Sequence, residues 1–422
     1  MLTETLQNGE FSNVVVNNTF AGQEMTGQER AFVSRLYLGT LERLIYLDHI
    51  INKFSKTPTQ KMKPVVVNIL RLSTYQLIFM SSVPDFAAIN EAGKLARKRG
   101  FGSLASFING VLRSIQRNIG SLEDGMPENV RLSVPKWMYD MIIADCGREA
   151  GLKFLKGALS AQRGVTIRLN LKKGSPGELL EELANEGCQT FKISDDLECY
   201  KLGRFKSLTE LESYKKGLFI VQDLSSVRAA MAGCLKLKEE CGNSEGEGLL
   251  IVDVCAAPGG KSLCAAEMFP KARIISRDLT EYKIKMIEQN IERLGISNVE
   301  PEVFDALVFD ERLKEKADLV IADLPCSGLG VIGGKPDIKF RVRQKNLAEL
   351  AGMQRNILDV VQEYVREGGF LVYSTCTVNK GENDDNVDYF VSKYGFELIC
   401  RRHLLPEDGD GFFVAVLKKK NS

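Results

Sequence analysis

Leu249-Leu250-Ile251-Val252-Asp253-Val254-Cys255-Ala256-Ala257-Pro258-Gly259-Gly260-Lys261 reads as a strand, a tight turn and the opening of a helix. The apolar run Leu249 to Val254 suits a strand. The paired glycines permit a sharp reversal and let backbone N–H groups approach a ligand. Lys261 to Glu267 then continues as a helix. The same rhythm extends downstream. Ala272 to Ser276 reads as a strand, Thr280 to Leu294 as a helix, and Val299 to Phe304 as extended. Asp318 to Ala322 reads as a strand, Asn346 to Arg366 as one long helix, and Gly369 to Tyr373 and Phe412 to Leu417 as further strands. Such alternation predicts an open α/β sheet, with ligands held beyond the carboxyl ends of its strands.

The glycine spacing is neither a dinucleotide fingerprint nor a phosphate loop, because the earlier glycine that a phosphate loop requires is missing. A compact nucleoside cofactor fits the turn better. Asp278 follows the second strand, where a carboxylate can accept both hydroxyls of a ribose. Asp305 follows the third, placed to meet an adenine edge. Asp253 either touches the ammonium of such a cofactor or organises the turn. A cofactor built on sulfur-linked methionine would supply a methyl group.

Two further stretches carry the chemistry. Asp323-Leu324-Pro325-Cys326-Ser327-Gly328 follows one strand, and Ser374-Thr375-Cys376-Thr377 follows another about fifty residues later. C5 of a pyrimidine is a poor nucleophile. A thiolate that adds to C6 makes C5 enamine-like and able to attack an electrophilic methyl; a base then removes the C5 proton and the thiol departs. Cys326 and Cys376 are the two candidates, and position alone does not choose between them. Asp323 is placed to meet the N3/N4 edge of cytosine, a role for which its carboxyl should hold or share a proton. Lys261 either orients substrate or cofactor or pairs with an acidic neighbour. Lys335, Lys339, Arg341 and Arg343, in and after the loop Gly333 to Lys339, are candidate phosphate contacts. The thiol of Cys255 reads as packed, and the remaining cysteines lack an activating context.

The 422 residues suggest more than one domain. Residues 1–125 read as an all-helical bundle, 126–245 as a small α+β linking module, and 246–422 as the α/β catalytic domain. The net charge is only +1, but residues 1–120 carry 14 Lys+Arg against 8 Asp+Glu, which makes an RNA-facing surface a sharper alternative to a solvated one. Ten cysteines, several in apolar runs, suit a reducing compartment rather than a disulfide framework. The polar start is unlike a signal peptide, and no apolar run is long enough to span a membrane. Cytoplasm is the expected location. Two distant histidines and the lack of a close Cys-x-x-Cys pair argue against a metal site.

Asp253 to Lys261, Asp323 to Gly328 and Tyr373 to Cys376 together resemble the bacterial ribosomal RNA cytosine-5 methyltransferases of the RsmB (Sun/Fmu) type. The resemblance covers nearly the whole chain. It implies a NusB-type helical RNA-binding domain, a linking module and a Rossmann-like catalytic domain that uses S-adenosyl-L-methionine. It implies that Cys376 attacks C6 and that Cys326 assists release of methylated RNA. Asp323 corresponds to the cytosine-contacting carboxylate, and Asp278 and Asp305 to the ribose and adenine contacts. The cofactor motif corresponds to Asp253, Cys255, Ala256, Ala257, Pro258, Gly259, Gly260 and Lys261, with Asp323 closing the cofactor set. The implied partner is 16S ribosomal RNA, naked or partly assembled, acted on by a monomer, with no DNA and no membrane. Transfer RNA is the alternative substrate, and a non-catalytic RNA-binding or antitermination protein is the more distant one. Three departures stand out: Leu324 replaces a small alanine, Gly381-Glu382-Asn383 loosens a glutamate-rich segment, and Gly333-Gly334 replaces a more basic pair.

Overall fold

A computed structural model describes the chain except residues 160–163, 204, 206, 243, 406–409 and 422. The Gly- and Glu-rich stretch 241–248 reads from the sequence as an exposed turn, and its residue 243 lies outside the described residues. The chain forms two compact units, residues 1–159 with 332–344, and residues 160–331 with 345–422.

The first unit is helical among its described residues. Its main helices are Gly27–Glu42, Leu44–Phe54, Pro64–Phe79, Asp85–Lys98 and Ala105–Arg117. In the last of these, Ile108, Val111, Leu112 and Ile115 recur at three- and four-residue steps and are buried on one face. They pack with Leu47, Ile50, Leu70 and Ile89 in one core. Each fully buried aliphatic side chain contributes about 1.5–3 kcal/mol. Helix starts follow local chemistry: Thr26 and Glu29 form a reciprocal cap, and Pro64 occupies a first-turn position. The span 126–245, expected as one module, divides between the units, since Lys136–Cys146 and Arg148–Gly157 belong with the helices.

The second unit holds two sheets. The smaller contains β1 (Val165–Leu169), β2 (Gln189–Lys192), β3 (Cys199–Gly203) and β4 (Phe219–Val221) in the order β2-β3-β1-β4, all antiparallel. Leu179 and Leu183, from the helix Pro176–Asn185, pack on Ile167, Leu202 and Phe219.

The larger sheet contains β5 (Leu250–Asp253), β6 (Arg273–Asp278), β7 (Val299–Val303), β8 (Ala317–Asp323), β9 (Val365–Thr375), β10 (Phe396–Leu404) and β11 (Phe412–Lys419). The order is β10-β11-β9-β8-β5-β6-β7. β5 to β9 pair in parallel, while β11 runs antiparallel to both β9 and β10. β8 is buried from Ala317 to Ala322, as a strand covered on both faces must be. From β5 the order runs one way to β6 and β7 and the other way to β8 and β9. That reversal opens a crevice at the carboxyl ends of β5 and β8.

One expectation needs correction. The helix begun near Asn346 ends at Val361, and after a short turn β9 starts at Val365. Arg366 is therefore a strand residue, bonded to Asp318 at 2.6 Å. The strand extends back past Gly368 and Gly369 through a register shift that lets Val365 still pair with Ala317. The helix Asp384–Lys393 and the edge strand β10 were not among the expected elements, although Val387, Phe390 and Val391 have helical spacing and Phe396, Leu398 and Cys400 alternate.

Candidate active site

Asp323 and Ser374 are register partners at the ends of β8 and β9. Cys326 and Cys376 lie three and two residues beyond them, so parallel pairing brings the two thiols side by side with their sulfurs 3.2 Å apart. The flanking loops are tied by backbone bonds, Leu324 N–H to the Ser374 carbonyl at 3.1 Å and Gly330 N–H to the Cys376 carbonyl at 3.0 Å. At Gly330 neighbouring backbone passes too close for a side chain. A Cβ there would come within 1.9 Å of the Gly411 carbonyl oxygen and 2.8 Å of that of Cys376. The sulfur contact with Cys376, burial and the Glu382 charge all push the Cys326 thiol far above its usual range.

Asp323 is not enclosed as an isolated acid. Lys261 Nζ meets its Oδ2 at 2.6 Å, and the Ser374 hydroxyl donates to its Oδ1 at 2.7 Å. Of the two roles open to Lys261, it takes the ion pair. The lysine side chain is 7% exposed. Its ammonium lies 5.1 Å from the Phe412 ring centre and 3.3 Å from the Ser226 hydroxyl. Ser226 also receives a bond from Gln222. Gln222 and Ser226 were not among the expected site residues. Ser226 gives no local signal, whereas the pair Gln222-Asp223 also carries part of the family resemblance.

The turn after β5 has the conformation that its glycines permit. Gly259 sits at φ 105°, in the left-handed region, and the helix Gly260–Met268 starts directly after it. Asp253 is fully buried, and one oxygen accepts from the Ser262 hydroxyl at 2.7 Å. Its other oxygen has no hydrogen-bond partner among the described residues. Burial pushes the Asp253 carboxyl up to about 7. Of its two possible roles, organising the turn is the one its geometry fits. Cys255 has its thiol pushed far up by burial, which suits a packed and unreactive group.

Asp278 ends β6, with its carboxylate engaged by Ala257 N–H at 3.0 Å, Leu279 N–H at 2.7 Å and Lys283 Nζ at 2.8 Å. A carboxylate offers about four acceptor positions. One remains for a ribose hydroxyl, and accepting the second requires the half-exposed Lys283 to swing aside. Asp305 follows β7 and turns the chain by accepting from Leu307 N–H at 2.9 Å. Leu279, Leu307 and Val308 expose apolar side chains beside these two aspartates. A left-handed glycine turn at a helix start, two carboxylates on adjacent strand ends and an apolar rim together fit S-adenosyl-L-methionine.

Two expectations change. Lys339 is buried, donating to the Glu42 carbonyl at 2.6 Å and the Ser133 carbonyl at 2.9 Å, so it is a structural tie and not a phosphate contact. Arg341 lies 3.4 Å from the Phe11 ring centre, whereas Lys335 and Arg343 are exposed. The segment Gly381-Glu382-Asn383 is not loose, because Glu382 and Asn383 are fully buried and hydrogen-bonded.

Residues 243–418 match the family model described as 16S rRNA methyltransferase RsmB/F, and residues 2–117 match the NusB family. The chain is 35% identical to the probable ribosomal RNA small subunit methyltransferase B of Bacillus subtilis, over 98% of this chain and 96% of that one. It is 31% identical to the ribosomal RNA small subunit methyltransferase B of Klebsiella pneumoniae, over 95% and 92%. The crystal structure of PH0851 shares the fold, with a TM-score of 0.77 at 22% identity, covering 96% of this chain and 93% of that one. The chain therefore belongs to the RsmB family of S-adenosyl-L-methionine-dependent ribosomal RNA small subunit methyltransferases that carry an N-terminal NusB-type domain.

Proposed function

We propose that this enzyme methylates C5 of a cytidine in 16S ribosomal RNA through a transient bond between Cys376 and C6 of the base. The observation that carries the proposal is the thiol pair, with sulfurs 3.2 Å apart above an aspartate held by Lys261. The relatives in Bacillus subtilis and Klebsiella pneumoniae are named for the small-subunit RNA.

Asp323, held by the Lys261 ion pair, meets the cytosine edge at the crevice floor. The Cys376 sulfur, as thiolate, adds to C6, and the electron pair of the C5–C6 double bond moves toward C5. Bound S-adenosyl-L-methionine supplies the electrophilic methyl group that C5 takes. A base then removes the C5 proton, the electron pair re-forms the C5–C6 double bond, and the bond from sulfur to C6 breaks. Cys326, whose sulfur lies 3.2 Å from that of Cys376, serves this release. The base must leave its stack to enter the crevice, which favours naked or partly assembled RNA as substrate. A cytoplasmic monomer completes the proposal.

Incubation with labelled methyl donor and separate ribosomal and transfer RNA pools, followed by mapping of 5-methylcytosine, tests this directly. Label should enter small-subunit RNA. Cys376→Ala should abolish transfer, and Cys326→Ala should accumulate a protein–RNA adduct. Undiminished turnover by Cys376→Ala would overturn the mechanism, and label confined to transfer RNA would overturn the substrate.

A further inference from the structure

Glu382 lies in the loop between β9 and the helix Asp384–Lys393, and it is fully buried. Its Oε2 accepts from Ser327 N–H at 2.9 Å and from Gln354 Nε2 at 3.0 Å, and its Oε1 accepts from the Ser327 hydroxyl at 2.5 Å. Ser327 directly follows Cys326. The Ser327 hydroxyl oxygen also lies 2.8 Å from that of Thr377, which directly follows Cys376. One carboxylate and one serine therefore join the residues flanking both thiols.

The surroundings hold this junction still. Gln354 also donates to the Pro325 carbonyl at 2.9 Å, on the other side of Cys326. Asn383 accepts from the Thr375 hydroxyl at 2.6 Å and donates to the Thr377 carbonyl at 3.1 Å, bracketing Cys376. Three donors converge on two carboxylate oxygens, two of them fixed N–H groups on Oε2 and the third the rotatable Ser327 hydroxyl on Oε1. None of these three donors is cationic, and burial raises the acid above its usual range. Keeping such a group out of water is expensive when apolar packing could fill the space. Its connections to both cysteine loops account for its presence.

We propose that Glu382 is the positioning residue of the two-thiol site: it fixes Cys326 against Cys376 so that the protein–RNA bond is released, without itself touching substrate. The inference rests on the covalent reading above. It separates the formation of the adduct, which needs Cys376, from its resolution, which needs Cys326 held at the observed distance.

The test uses the full chain as Glu382→Ala, Glu382→Gln and Ser327→Ala, with target RNA and S-adenosyl-L-methionine. Three quantities are read: cofactor affinity by calorimetry, the fraction of protein covalently bound to RNA on denaturing gels, and multiple-turnover rate. In Glu382→Ala, turnover should fall about tenfold or more, the loss expected for a hydrogen bond to a charged group. The adduct fraction should rise several-fold, and cofactor affinity should stay within about twofold. Glu382→Gln keeps the shape and one acceptor, and its serine-facing amide can be met by rotation of the Ser327 hydroxyl, so it should restore most of the turnover. A merely structural role would lower adduct and turnover together. That result, or wild-type turnover in Glu382→Ala, would overturn the proposal. If Glu382→Ala fails to bind cofactor, Ser327→Ala decides: a raised adduct fraction supports the inference and an unchanged one refutes it. Failure of the covalent reading itself appears separately, as activity in Cys376→Ala.

Discussion

Replacing Lys261 with methionine tests how the crevice floor works. The residue is almost fully buried, and its ammonium lies 2.6 Å from Asp323, whose side chain is 29% exposed. At that distance, and with an effective dielectric constant near 20, the gross attraction is about 6 kcal/mol. Desolvation of the lysine cancels much of it. The Ser374 bond and the partial exposure of Asp323 soften the loss further. A net coupling of about 2 kcal/mol remains, in line with hydrogen bonds to charged groups. The assay is a double-mutant cycle of Lys261→Met and Asp323→Asn, read as kcat/KM for methyl transfer. If the two side chains act as a pair, the double variant should be about 30-fold more active than the product of the single effects implies. Effects that multiply to within about 0.5 kcal/mol of additivity would show that Lys261 and Asp323 work independently, and the pairing argument would fail.

Two other perturbations follow from buried polar groups. Lys339→Met strips a donor from the Glu42 and Ser133 carbonyls, which should destabilise the helical unit by about 2–4 kcal/mol. Thermal denaturation should show a clear drop in midpoint, and the salt dependence of RNA binding should keep its slope, because this lysine meets no phosphate; a lowered slope with an unchanged midpoint would contradict the assignment. Asp253, raised from 3.8 to about 7, titrates below that pH only in the unfolded chain. Stability from this group is complete below pH 3.8 and is lost as pH rises through about 7, a change on the order of 4 kcal/mol. Asp253→Asn lacks this slope, so its stability relative to wild type should improve from pH 4 to about pH 7 and level off above it; a constant gap from pH 4 to pH 7 would refute the raised carboxyl.

Local patterns revealed much of this molecule. The strand–turn–helix at Leu249 to Lys261 was legible because a hydrophobic run, two glycines and a helix start are all encoded within about a dozen residues. The helix Pro64–Phe79 was legible for the same reason, with proline at its start and apolar residues at helical spacing. The helix end near Val361 was not. Nothing local distinguishes a helix residue from a strand residue at Val365 and Arg366, whose conformation is fixed by pairing with Ala317 and bonding with Asp318. The basic residues after Gly333-Gly334 looked like one phosphate-binding set. Burial of Lys339 against two carbonyls, near residues about 300 and 200 positions earlier in the chain, removed it from that set.

The sequence by itself determined the chemical parts: two cysteines, a glycine turn, and carboxylates each placed just past an apolar strand. Residue type and short spacing suffice for that, because nucleophilicity, turn conformation and strand periodicity are local properties. Tertiary structure alone decided how those parts meet. Parallel pairing of β8 with β9 set the sulfur separation, the Lys261 ion pair set the environment of Asp323, and Glu382 was drawn into the interior between two loops. Such relations depend on sheet register and on which polar groups burial forces to share partners. Neither is written in any single stretch of the chain.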